Sequence, residues 1–228
     1  MDRIVALFIH PVKFTQSRSF EFTPWLPIIL LTVILASLHY TMLPELLETY
    51  NSPEYLTQFA ERGQMTEVAA QAEIAKMRDL APYMGLVEAP IVILAGIAGV
   101  ASVLYIIGRI QFRKKVPFVS LYAMVAWGSL VSGAPLLVNL IVRIIRPGTL
   151  LSTNAAAFLP KTMEGTYFYN IMLAVDPFLM WQVWLMGLGV ATLCEVNRQR
   201  AISSVGTMFV VLSIINAWTM TLAGKLNG

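Results

Sequence analysis

The sequence predicts an all-α, polytopic membrane protein with five transmembrane helices, and three observations carry that prediction. Five apolar stretches fill most of its 228 residues. Composition is 57% hydrophobic and 13% charged, where a globular domain carries about 25% charged residues. Basic residues crowd into alternate connections between the stretches. A helix needs roughly 20 apolar residues to cross about 30 Å of hydrocarbon, and residues 24–43, 86–108, 118–142, 173–194 and 205–223 meet that length or fall one short. A soluble domain of this size could not hide so much apolar surface, and mean hydropathy is +0.68.

Residues 1–23 read as an interfacial segment. Ile4, Val5, Leu7 and Phe8 stand beside Asp2, Arg3 and Lys13, which suits one short helix stopped by Pro11 and lying beside the first span. No small-x-small cleavage site follows span one, so that span is expected to stay as an anchor. Residues 44–85 hold seven of the thirteen acids and read as two short helices. Ser52-Pro53-Glu54 offers a cap, a first-position proline and a first-turn acid. Gly63 ends that helix; Thr66 opens a second, expected to halt at Pro82.

Nine of the sixteen lysines and arginines lie in three short regions: Arg3, Lys13 and Arg18; Arg109, Arg113, Lys114 and Lys115; Arg198 and Arg200. By the positive-inside rule these regions are cytoplasmic, the acidic loop faces outward and the C-terminus is outside. Arg143 and Arg146, at the outer end of span three, run against that count. The formal charge of +3 is small and not gathered on one helical face, which argues against a nucleic-acid partner. Cys194 alone allows no internal disulfide and no zinc cluster.

Spans two-three and four-five carry a faint echo. Glu88-Ala89-Pro90 and Asp176-Pro177 each open a span, followed by Gly96 and Gly99 or by Gly187 and Gly189. Such glycines are expected where helix backbones approach closely. Glu88 and Asp176 at outward helix starts are either caps or a pair of carboxylates flanking a cavity for a cation or amine. Span three is the unusual helix, with Gly128, Ser129, Ser132, Gly133 and Pro135 in its interior. A kink at Pro135, with the serines re-satisfying freed carbonyls, places it inside the bundle. Asn139 and Arg143 share one face of it and complete the candidate polar site with Glu88 and Asp176. His39 reads as an interfacial polar residue. No protease, hydrolase, nucleotide-binding or metal motif is present, so neither catalysis nor a cofactor is expected.

Several stretches resemble the bacterial members of the Yip1 domain family. These are HPVKF before span one, Arg62-Gly63-Gln64-Met65-Thr66, the run SLYAMVAWGSLVSGAPLLVNLIVRII, and Val175-Asp176-Pro177-Phe178 through Trp181-Gln182 and Gly187-Leu188-Gly189. The resemblance covers nearly the whole chain and implies five membrane helices with a cytoplasmic N-terminus. Eukaryotic relatives are associated with Rab GTPases and vesicle traffic between ER and Golgi. That role is not carried over. The long N-terminal region and the Asp-Leu-x-Gly-Pro motif have no counterpart here, and Ala126-Trp127-Gly128-Ser129 stands in place of a tyrosine-glycine-tyrosine signature. The expectation is a bacterial inner-membrane organiser contacting lipids, a partner membrane protein or further copies of itself. The alternative is a small transporter or channel with a site between the two hairpins.

Overall fold

The computed structural model describes residues 2–17 and 24–226; Arg18, counted above toward orientation, lies outside them. The described residues form the helices α1 (Asp2–Ile9), α2 (Pro11–Gln16), α3 (Trp25–Tyr50), α4 (Pro53–Gly63), α5 (Glu67–Ile106), α6 (Phe118–Ile145), α7 (Tyr167–Leu173), α8 (Pro177–Cys194) and α9 (Arg198–Leu226), with no strand among them. A π-helical turn, Ile107–Gln111, extends α5. Five helices are long and apolar enough to cross a membrane: α3, α5 with its extension, α6, α8 and α9. Their outward faces leave Val33, Ile91 and Trp218 more than half exposed, the surface expected of helices solvated by lipid.

Helix boundaries outrun the apolar stretches because backbone hydrogen bonding does not require apolar side chains. α3 continues through Pro44 to Tyr50, seven residues past the predicted span. α4 forms as expected, with the Ser52 hydroxyl accepting from the Tyr55 amide at 3.2 Å and Gln64 closing it in a left-handed conformation. The second loop helix does not halt at Pro82. It runs unbroken through Pro82 and Pro90 into the membrane span. A proline removes only its own amide bond, and neighbouring helices can compensate the disturbed backbone. The carbonyl that Pro82 leaves without its usual amide is that of Arg78; the His39 ring nitrogen Nε2 donates instead to the Ala81 carbonyl at 3.0 Å, fixing α3 against α5. The fourth predicted span holds but starts four residues late: α7 ends at Leu173 and α8 runs from Pro177 to Cys194.

The chain divides into two compact units. One comprises Met1–Ile28, Leu94–Pro135 and Ser152–Gly228; the other comprises Ile29–Ile93 and Leu136–Leu151. In the first unit α8 is the enclosed helix. Half of its apolar window is buried, against 39% for α6, so the bundle interior belongs to α8 as much as to the glycine-rich span. Every residue from Leu185 to Ala191 is buried. A methyl on Gly187 would stand 2.7 Å from the Ile202 backbone Cα of α9, and one on Gly189 would run into the Met124 side chain of α6. A methyl on Gly128 would meet only ordinary contacts at 3.9 Å, so that glycine is not compelled by packing.

The N-terminal residues form two helices where one was expected, and both take part in this unit's packing. Pro11 ends α1 and opens α2 as its first residue. Leu7 and Phe14 are buried, and the Phe14 ring lies 5.6 Å from the ring of Trp127, itself fully enclosed in α6. The two serines of α6 do not act at the carbonyl that Pro135 leaves without its usual amide, that of Val131. Ser129 Oγ donates to the Val125 carbonyl at 2.9 Å, and Ser132 Oγ to the Ser129 carbonyl at 3.2 Å.

Gly187 and Gly206 therefore separate sharply under the same substitution. Gly187→Ala forces α8 away from α9 and is expected to cost about 1–3 kcal/mol. Gly206→Ala meets nothing within 4 Å and is expected to gain about 0.5–1 kcal/mol from the lower chain entropy of alanine. Thermal unfolding of both variants in one detergent checks the pair.

Candidate functional site

Asp176 is the N-cap of α8. Its Oδ1 accepts from the amides of Phe178 at 2.8 Å and Leu179 at 3.1 Å, while Oδ2 takes the Thr153 hydroxyl. Pro177 occupies the first helical position, so one sequence pair supplies both the starting φ and the partner for orphan amides. Glu88 differs. It is exposed in the middle of the continuous helix α5, not at a helix start, so the two acid-proline pairs are not equivalent and the echo between the hairpins fails at its anchor. Glu88 belongs to a small groove of about 280 Å³ in the second unit, walled by Leu35, Leu38 and His39 of α3 and by Gly85 and Val92 of α5. Gly85 admits the His39 ring against the α5 backbone; a methyl there would lie 2.5 Å from Cδ2.

Asn139 and Arg143 share a face of α6 as predicted, and each ties a different segment of the second unit. The Asn139 side chain forms a two-way bond with Leu151: Nδ2 donates to its carbonyl at 2.9 Å, and Oδ1 accepts its amide at 2.6 Å. That pair fastens the chain returning from α6. Arg143 is 2% exposed. Its Nη2 donates to Glu45 Oε1 at 2.5 Å and to the Thr41 carbonyl at 3.3 Å, joining α6 to the end of α3. Nε and Nη1 are buried without a partner among the described residues. Glu45, not among the predicted site residues, is therefore the missing half of this arrangement. A basic residue at a span end demands a counter-charge, and Thr41 and Glu45 are four positions apart on one helix, which is the signal that could have found it.

In the first unit a third arrangement forms at the end of the spans opposite Asp176. The π turn after α5 carries Arg109, and Arg113 follows in a left-handed conformation with φ 53°. The Lys114 amide reaches back to the Gly108 carbonyl at 2.9 Å, folding the basic run tightly. Phe112 points inward and is covered by the Arg200 guanidinium, 5.6 Å from its ring. Gln111 Nε2 donates to Ser204 Oγ at 2.8 Å. These contacts bring two basic turns that are separate in sequence into one cluster of six exposed cations, Arg109, Arg113, Lys114, Lys115, Arg198 and Arg200, with Glu195 as the acid beside them. Arg198 and Arg200 sit in the first turn of α9, where the helix dipole disfavours a cation. Helix stability therefore does not account for their placement.

An all-helical fold with five apolar spans and charged groups at the span ends defines a multi-pass α-helical membrane protein. The family model for the Yip1 domain matches residues 5–219, nearly the whole chain, and the protein belongs to that family. No curated protein and no solved structure matches it.

Two outcomes follow for these side chains. Asp176→Ala is expected to cost about 1 kcal/mol through the lost cap, whereas Asp176→Asn, an equally good cap, stays near the parent; thermal unfolding of both decides. Glu45→Ala strands a buried guanidinium, so its melting temperature should fall further than that of the double variant Glu45→Ala/Arg143→Met, which removes both charges. A double variant as unstable as the single one would show that the ion pair is not what the single variant lost.

Proposed function

We propose that this protein is a non-catalytic membrane organiser of a bacterial inner membrane, acting through contacts with anionic lipids on the cytoplasmic side. The observation that carries this reading is the joint cationic cluster of the 109–115 and 198–200 segments, held together by Arg200 over Phe112 and by Gln111 on Ser204. Clustered cations at a span end attract anionic headgroups, at about 1 kcal/mol per residue near the surface. The same cluster supports a cytoplasmic placement of this end under the positive-inside rule, and with five spans the C-terminus then lies outside. Partner membrane proteins or further copies would meet the exposed apolar faces of the spans.

Asp176 caps α8 and takes the Thr153 hydroxyl, and the Arg143 charge is held by Glu45, which leaves Glu88, on the groove between α3 and α5, as the acid a transporter would use. Neutralising Arg113, Lys114 and Lys115 to glutamine is expected to weaken retention of phosphatidylglycerol by roughly 100-fold, the sum of about 1 kcal/mol each. Phosphatidylcholine retention should be unchanged. Native mass spectrometry of the full chain from mixed nanodiscs reads both. Equal retention of the two lipids by the parent would sink the reading. Ion or amine flux in proteoliposomes that Glu88→Gln abolishes would replace it with the transporter.

A further inference from the structure

Above the cationic cluster the first unit carries an open apolar groove of about 360 Å³ between α5, α8 and α9. Its α5 wall runs from Ala95 to Leu104 and its α9 wall from Val205 to Leu212, with Leu179, Val183 and Met186 of α8 between them. The one polar lining residue, Gln182, is 7% exposed, and its amide is already given to Ser129 Oγ at 3.0 Å. Such a wall offers little to a sugar, a nucleotide or an amino acid. It suits an alkyl chain.

Glycine makes the groove. A methyl on Gly96 or on Gly99 would meet nothing within 4 Å, the opposite of Gly187. These two residues do not bring helices together; they leave room beside α5. The α5 wall covers nine residue steps, about 14 Å of helix, close to half of a roughly 30 Å hydrocarbon core. The groove therefore spans one leaflet. A transmembrane helix from another chain would need a seat along the full span.

The groove's lower end meets the cations. Leu104 precedes Arg109 by five positions and Val205 follows Arg200 by five, a rise of about 7–8 Å on each helix. Arg109 is folded back toward this end: its Nε donates to the Tyr105 hydroxyl at 3.0 Å, with the guanidinium 5.2 Å from that ring. The geometry points to a specific lipid site, in which the α5–α8–α9 groove seats one acyl chain of an anionic phospholipid whose headgroup lies on the Arg109–Lys115 and Arg200 cluster. It rests on the headgroup reading above and adds to it a defined seat for the chain.

The test uses full-length protein in nanodiscs with phosphatidylglycerol or phosphatidylcholine carrying a diazirine midway along one acyl chain. Crosslinked positions are mapped by mass spectrometry. Phosphatidylglycerol adducts should concentrate on groove residues such as Met186, Met208 and Leu212, several-fold above other lipid-facing positions. Gly99→Leu, whose Cβ meets nothing within 4 Å and whose side chain enters the groove, should remove that excess, as should Gly96→Leu, while the melting temperature holds and headgroup-dependent retention persists. Labelling spread evenly over the spans, or unchanged in both glycine variants, overturns the seat. Groove labelling that is as strong with phosphatidylcholine overturns the anionic preference and, with it, the headgroup reading alone. Disulfide-linked dimers formed by Gly99→Cys under oxidation would give the groove to a second copy and overturn the lipid assignment.

Discussion

Close approach of α8 to its neighbours is the constraint on which the first unit depends. In lipid, apolar helices gain little by meeting, because hydrocarbon solvates a leucine as well as another helix does. What remains is dispersion at short range and a few interhelical hydrogen bonds. Gly187 lets α8 come within a methyl's width of the Ile202 backbone, and Gly189 leaves room for the Met124 side chain of α6. The Gln182 to Ser129 bond fixes the α6 register and the Asn170 to Thr221 bond ties α7 to α9. Small contacts of this kind decide which helix lies inside, and they select α8 although α6 has the more unusual sequence.

Charge is placed by the complementary rule that ions inside a bilayer must be paired or brought to its surface. Arg143 is the exception that tests it. It is buried, takes the Glu45 carboxylate and the Thr41 carbonyl, and in doing so converts two span ends into one fixed corner of the second unit. Gly148, at φ 82°, turns the chain beside the same carboxylate in a backbone conformation that a larger residue would resist. The six basic residues of the 109–115 and 198–200 segments are exposed, and the opposing dipole of α9 marks the position of Arg198 and Arg200 as one that something other than the helix must favour.

The spans and their number were legible because hydropathy is a property of local sequence, and a bilayer acts on each helix almost independently. The cap at Asp176-Pro177 was legible for the same reason, since its amide partners lie within three positions of Asp176. Glu88-Ala89-Pro90 looked alike and was not, because Pro90 stands inside the unbroken helix α5 and a proline removes only its own amide bond. Glu45 and the joining of the two basic turns could not be read locally. Their partners lie 98 residues away in the first case, Arg143, and 93 in the bond that joins Gln111 to Ser204. The short helix before Pro11 was legible, whereas the burial of Phe14 against Trp127 was not, because that partner lies far along the chain.

The glycines show how spacing carries information that composition hides. At about 3.6 residues per turn, Gly187 and Gly189 are separated by roughly 200° around α8. They face opposite sides, and each admits a different neighbour, α9 on one side and α6 on the other. Gly96 and Gly99 are separated by about 300°, which returns nearly to the same face. Two absent side chains on one face make a trough, provided no helix closes over it, and none does within 4 Å. The pairs that looked like copies of one packing motif therefore do opposite things. One pair brings helices into contact, and the other keeps a space open between helices that end at a cluster of cations.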